Sequence, residues 1–134
     1  MKVVMAMKHR KTFGTIGSGI LALAIGFSGA CRTAAVREVT LVTRGMTFAL
    51  PEAPGSSNPV LRFRSGERVR LVLKNEAAGM IHDVAIPAWN VAVDAIPSGQ
   101  SAATTFVVPE AAGPVEYLCR PHAQMMTGTI DVSR

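Results

Sequence analysis

The chain has 134 residues, of which 49% are hydrophobic and 17% charged, a size that suits one ordinary domain and excludes a two-domain enzyme or a disordered, highly charged scaffold. Its formal charge of +5 does not make it a nucleic-acid binder, because four of the fourteen basic residues, Lys2, Lys8, Arg10 and Lys11, precede residue 12. From Cys31 onward ten Lys and Arg stand against nine Asp and Glu, and so near-neutral a domain lacks the electrostatic footprint of nucleic-acid binding.

Behind the basic stretch, Phe13 to Ala30 carries no charge. A basic start, an apolar run from Ile16 to Phe27 and the small residues Ser28, Gly29 and Ala30 make 1–30 a secretory signal peptide. The run is also just long enough to cross a membrane, so an uncleaved N-terminal anchor is the alternative, weakened by the glycines and serines within it. Cys31 follows directly. Ser28-Gly29-Ala30-Cys31 resembles a bacterial lipoprotein box, with Ser28 where that box prefers Leu. Cys31 is then either a lipidated first residue or a cysteine beside an ordinary cleavage site. On each reading the domain is exported, periplasmic or membrane-anchored on the periplasmic or extracellular side. It meets the membrane only through the N-terminal segment or a lipidated Cys31. A short linker, 31–37, leads to the domain at 38–134.

Beyond residue 37 no stretch has apolar residues at helical spacing, whereas alternation at period two recurs. The domain is therefore expected to be all-β. Strands are expected at Val39–Thr43, Met46–Leu50, Val60–Arg64, Arg68–Lys74, Ile81–Ile86, Thr104–Val108, Val115–Cys119 and Gly128–Val132. In Arg68–Lys74 the side chains of Val69, Leu71 and Leu73 point one way and those of Arg68, Arg70 and Lys74 the other. Pro51 to Pro59, Ser65-Gly66, Ala77 to Gly79, Pro97 to Gly99 and Ala111 to Pro114 supply the turns. Short strands at this spacing predict a two-sheet Greek-key sandwich. Ala88 to Ile96 fits a short strand, a helical turn or a surface loop equally well.

The chemistry gathers between Tyr117 and Ile130. Cys119, His122, Met125 and Met126 place a thiolate, an imidazole and thioethers within eight residues, between two strands. Thiolate and thioether favour Cu(I), imidazole accepts either oxidation state, and a trigonal His-His-Cys set with a weak axial Met is the arrangement of blue-copper electron carriers. Such a site needs a second His. Of the three in the chain, His9 lies in the leader, which leaves His82, 37 residues before Cys119. Zinc is a poorer match, because a thioether is a weak zinc ligand and no fourth hard donor is present. A disulfide between Cys31 and Cys119 would consume the thiolate.

These residues resemble the ligand pattern of the cupredoxins of the plastocyanin, azurin and amicyanin group, a likeness spanning most of 38–134. Arg64-Ser65-Gly66-Glu67-Arg68-Val69 is similar to that family's early Gly turn, and Asn75 with His82 to the stretch holding its first ligand. Ile96-Pro97-Ser98-Gly99-Gln100, Phe106, Gly113-Pro114 and Tyr117-Leu118-Cys119 follow the run into its ligand loop. The resemblance implies His82, Cys119 and His122 as the strong ligands of one copper ion. It implies Met126 as the axial ligand, from Met126-Thr127-Gly128-Thr129-Ile130, with Met125 the alternative. Asp83 stands where many relatives carry Asn, and its backbone N–H is left to serve the Cys119 sulfur.

The implied function is a mononuclear type 1 copper protein, a one-electron carrier cycling between Cu(II) and Cu(I). It is not an enzyme: one Cys in the loop excludes a binuclear thiolate-bridged centre, and no spare His serves a second copper or a nucleophilic triad. Redox protein partners are expected to dock on a monomer at an apolar rim around His122 formed by Pro121, Ala123, Met125 and Met80. Arg62, Arg64, Arg68 and Arg70 are either a basic steering patch or a solvated strand face. Two other classes stay open. Met80, Met125 and Met126 also suit a periplasmic copper store or chaperone. A metal-free β-sandwich interaction module would use Cys119 and His82 merely as core residues.

Overall fold

Hydrophobic and charged side chains alternate through Arg68–Asn75, and this segment forms a strand with Val69, Leu71 and Leu73 fully buried and Arg68, Arg70 and Lys74 in solvent. A computed structural model describes residues 35–110 and 113–134. The expected signal segment, Cys31 and the linker up to residue 34 lie outside the described residues. In chain order the strands are β1 (Val36–Arg44), β2 (Thr47–Ala49), β3 (Leu61–Arg64), β4 (Arg68–Asn75), β5 (His82–Ile86), β6 (Val91–Ile96), β7 (Ser101–Val107), β8 (Val115–Leu118) and β9 (Thr127–Ser133).

They form two mixed sheets, ordered β2-β1-β4-β7 and β3-β9-β8-β5-β6. The pairs β1/β4 and β3/β9 are parallel; the other pairs are antiparallel. Leu41, Phe48, Leu71, Leu73, Ile86, Tyr117, Met126 and Ile130 are its largest fully buried apolar side chains. This is the all-β, two-sheet sandwich expected. The ring centroids of Phe48 and Tyr117, from different sheets, lie 5.5 Å apart, a favourable aromatic separation.

The structure extends the expected strands where periodicity is weak. β1 begins at Val36 because Val36 to Glu38 continue the ladder against Arg68 to Arg70. Their exposed side chains leave no hydrophobic signal. β7 begins at Ser101, and as a sheet edge without a fully buried residue it shows no clean alternation. Ala88 to Ile96 resolves into the end of a 3₁₀ turn, Pro87–Trp89, a left-handed Asn90 (φ 52°) and the strand β6.

The four arginines do not form one basic patch. Arg62 and Arg64 are exposed on β3 in the five-stranded sheet, and Arg68 and Arg70 on β4 in the other. The chain crosses between sheets at residues 65–67, so the two pairs stand on outward faces that look away from each other. Arg70 is also paired with Glu38 at 3.2 Å.

Gly128 lies opposite Tyr117 in the β8/β9 hairpin. Its role is close packing within the strand. A Cβ there would clash with Cζ, Cε1 and Oη of Tyr117, a side chain that cannot retreat easily because its Oη donates to the Pro59 carbonyl at 2.6 Å. Gly128→Ala is expected to lower the unfolding free energy by about 1–3 kcal/mol through overpacking. A reduced urea midpoint at unchanged slope would show it, and a wild-type midpoint would mean that the ring has room to move.

Candidate metal centre

β8 delivers Cys119 to one end of the sandwich in extended backbone, and Pro121 then favours the 3₁₀ turn Arg120–His122, because its fixed φ suits the turn and its missing N–H leaves no donor unmet. The turn is closed by backbone bonds. His122 N–H donates to the Cys119 carbonyl (3.0 Å), Met126 N–H to the His122 carbonyl (2.9 Å) and Cys119 N–H to the Met126 carbonyl (2.9 Å). Cys119 and Met126 thus face each other across the neck of the loop, both fully buried. Met125, one residue earlier, is 54% exposed.

His82 arrives from the other strand of the site. It opens β5, which is joined to β8 through Ala85 opposite Leu118, and its side chain is fully buried. Its Nδ1 lies 3.6 Å from Cys119 Sγ, and His122 Nδ1 lies 3.5 Å from the same sulfur. The ligand atoms of His82, Cys119 and His122 all lie within 4.8 Å of one another. A metal held trigonally, at about 2.0 Å from imidazole and about 2.3 Å from thiolate, needs sulfur-to-nitrogen separations of about 3.5 to 3.7 Å. The two sulfur-to-nitrogen separations therefore suit a single ion held by the three residues. Nδ1 of each ring faces the sulfur, which leaves Nε2 to carry the proton. Among the described residues no acceptor lies within hydrogen-bond geometry of the buried His82 Nε2, the Gly45 backbone being only a weaker neighbour.

Burial also sets the protonation of the group. Desolvation pushes the His82 imidazole below its ordinary range, and the neighbouring His122 adds to the effect, against weaker opposing contributions from the Gly45 backbone and Asp83. Desolvation pushes the Cys119 thiol up; the Asp83 carboxylate adds to this, while the backbone N–H groups of Asp83 and His122 oppose it. The metal-free pocket thus favours a neutral His82 imidazole and a neutral Cys119 thiol, and a cation entering it displaces the thiol proton.

Two supporting residues carried no sequence signal of their role. Asn58, within a segment that reads only as a turn, accepts from Phe48 N–H (3.0 Å) and donates through Nδ2 to the Met125 carbonyl (2.8 Å), bracing the loop. Arg120 pairs with Asp83: its N–H and Nε donate to the two carboxylate oxygens at 2.7 and 2.6 Å. Asn58 has φ 48°, a left-handed conformation that Asn tolerates better than most residues. At the surface, Pro121, Ala123 and Met125 are exposed around a part-buried His122, and Met80 is part-buried.

The fold has counterparts among solved structures. Auracyanin A, a blue copper protein from the photosynthetic bacterium Chloroflexus aurantiacus, aligns with a TM-score of 0.57 at 17% identity over 74% of this chain and 100% of that one. Rusticyanin variants align at 0.53, with 21% identity over 73% and 77%. A copper-containing nitrite reductase from Thermus scotoductus aligns at 0.54, with 21% identity over 74% of this chain and 28% of that one. These likenesses define the class of fold: it is cupredoxin-like. No protein-family model matches the sequence, and no curated protein matches it.

The lowered His82 value has a consequence for the metal-free protein. Between that value and the ordinary imidazole pKa of about 6.5, the unfolded chain binds more protons than the folded one, so stability rises with pH across this window. Stability should therefore fall as pH drops below about 6.5, and fall less steeply in His82→Asn. Urea midpoints between pH 8 and 5 would check this; identical slopes in the two proteins would mean that His82 does not contribute.

Proposed function

We propose that this chain is an exported mononuclear type 1 copper protein that carries single electrons. His82, Cys119 and His122 are its strong ligands and Met126 its axial ligand. The observation that carries the reading is the convergence of two Nδ1 atoms on one buried sulfur at 3.5 and 3.6 Å. A soft thiolate with two imidazoles suits copper in both oxidation states, and copper bound there supplies one-electron exchange between Cu(II) and Cu(I). The burial of Met126 and the exposure of Met125 support Met126 as the axial donor.

The protein's own contribution is rigidity and access. Cys119 and Met126 are tied together through the backbone, His82 sits within a sheet, and Asn58 braces the loop, so the donors keep one arrangement through both oxidation states. His122 alone of the three strong ligands is only part-buried, which makes its ring edge the route for an electron to reach a partner. Pro121, Ala123 and Met125 surround it with an apolar surface suited to brief contact with a redox protein. His82 and His122 are both committed to the metal, which leaves neither as a general base and favours a carrier over an enzyme. The basic and apolar segment at 1–30 supports export, with the copper domain at 38–134 and a periplasmic or membrane-anchored location.

Loaded with one equivalent of Cu(II), the protein is expected to show an intense thiolate-to-copper band in the visible and narrow copper hyperfine splitting by EPR. Cys119→Ser should abolish the band while keeping the far-UV circular dichroism. A colourless wild-type protein would shift the assignment to Cu(I) handling, which the exposed Met125 thioether also suits, or to a metal-free binding module. The axial assignment has its own check. Met126→Leu should shift the reduction potential and the EPR parameters, and Met125→Leu should leave both in place; the reverse pattern would make Met125 the axial ligand.

A further inference from the structure

Each of two proposed ligands is followed by a charged residue, and these two charges meet. Asp83 follows His82 on β5, and Arg120 follows Cys119 at the end of β8. Asp83 accepts at both oxygens, from Arg120 N–H at 2.7 Å and from Arg120 Nε at 2.6 Å. The carboxylate side chain is 2% exposed, whereas that of Arg120 is 56% exposed. A buried anion beside the site therefore has its counter-charge at the surface. An Asn in its place could accept from the Arg120 N–H, but its amide nitrogen would then face Nε, donor against donor. The carboxylate and the guanidinium are chemically matched.

We propose that Asp83 and Arg120 are positioning residues that form a charged latch between β5 and the Cys119–Met126 loop, and that their charges set the balance between oxidised and reduced centre in opposite directions. The inference rests on the copper reading above. Oxidation raises the charge of the site by one unit. A fixed negative charge nearby stabilises the more positive, oxidised state, and a fixed positive charge the reduced state. The two effects are unequal. Asp83 acts through protein with little solvent screening, whereas the exposed Arg120 acts through water and salt. Only the carboxylate is removed by Asp83→Asn.

The test is the reduction potential of the copper-loaded full chain, measured for wild type, Asp83→Asn, Arg120→Gln and Arg120→Lys at low and high salt. Asp83→Asn is expected to shift the equilibrium toward the reduced form by about tenfold, a rise of about 59 mV for a one-electron couple. Arg120→Gln should shift it toward the oxidised form by a smaller factor that shrinks with added salt. Arg120→Lys, which keeps the cation, should stay near wild type. Arg120→Gln retains the backbone N–H to Asp83, so it keeps the test open should Asp83→Asn fail to fold. An intense band with potentials that do not move, or that move in the same direction for Asp83→Asn and Arg120→Gln, would overturn the electrostatic role while leaving the copper reading intact. A wild-type protein without the band would overturn both.

Discussion

The placement of the site depends first on one buried carboxamide. Asn75, at the end of β4, uses all four of its side-chain hydrogen-bonding positions. Its Oδ1 accepts from Thr43 Oγ1 (2.8 Å) and Ala77 N–H (3.0 Å), and its Nδ2 donates to the carbonyls of Met80 (2.8 Å) and Ile96 (2.9 Å). Thr43 belongs to β1 in the same sheet, Met80 leads into His82, and Ile96 ends β6 in the opposite sheet. One amide thus pins together strand ends of both sheets where the site is built. Each partner left unsatisfied in such a buried position costs about 1–3 kcal/mol, and neither Asp nor Leu supplies both donors and acceptors. The anchor holds the Met80 carbonyl two residues before His82.

The other half of the site is held by a different means. The Cys119–Met126 loop is closed on itself by backbone bonds, then fastened outward by Asn58 to the Met125 carbonyl and by Arg120 to Asp83. Thr127 Oγ1 also donates to the Ala123 carbonyl at 2.6 Å. A pre-organised loop of this kind suits a centre that should not rearrange when its charge changes. The fold alone does not decide the use of such a centre. The same sandwich aligns both with a whole small blue copper protein and with little more than a quarter of a copper nitrite reductase chain. The donor set and its access to the surface carry the functional argument.

Legibility in the sequence followed the physics of burial. β4 was readable because one of its faces lies in the core and the other carries charge, whereas the start of β1 and the edge strand β7 lack that contrast. The 3₁₀ turn at Pro87–Trp89 and the left-handed Asn90 broke the pattern before β6, where only Val93 and Ile96 are buried and two neighbouring exposed residues interrupt the alternation. Asn58 and Arg120 were invisible because their roles depend on partners 67 and 37 residues away. The grouping of Arg62, Arg64, Arg68 and Arg70 failed for a related reason. Closeness along the chain said nothing about the crossing from one sheet to the other between them.

What the sequence determined by itself was the chemistry and spacing of the local loop. A Cys, a His three residues on and two Met shortly after it sit within eight residues, and a turn that short allows few arrangements. The tertiary structure decided everything that depended on bringing distant segments together. Pairing of β5 with β8 brings His82 to the sulfur across 37 residues and gives the carboxylate of Asp83 its guanidinium partner. The same packing sends Met126 inward and leaves Met125 at the surface. The resemblance of Met126-Thr127-Gly128-Thr129-Ile130 to the family pattern pointed to Met126, but spacing gave no physical reason for it, because adjacent residues in a loop share almost the same reach. Only the position of the core relative to the loop separates them.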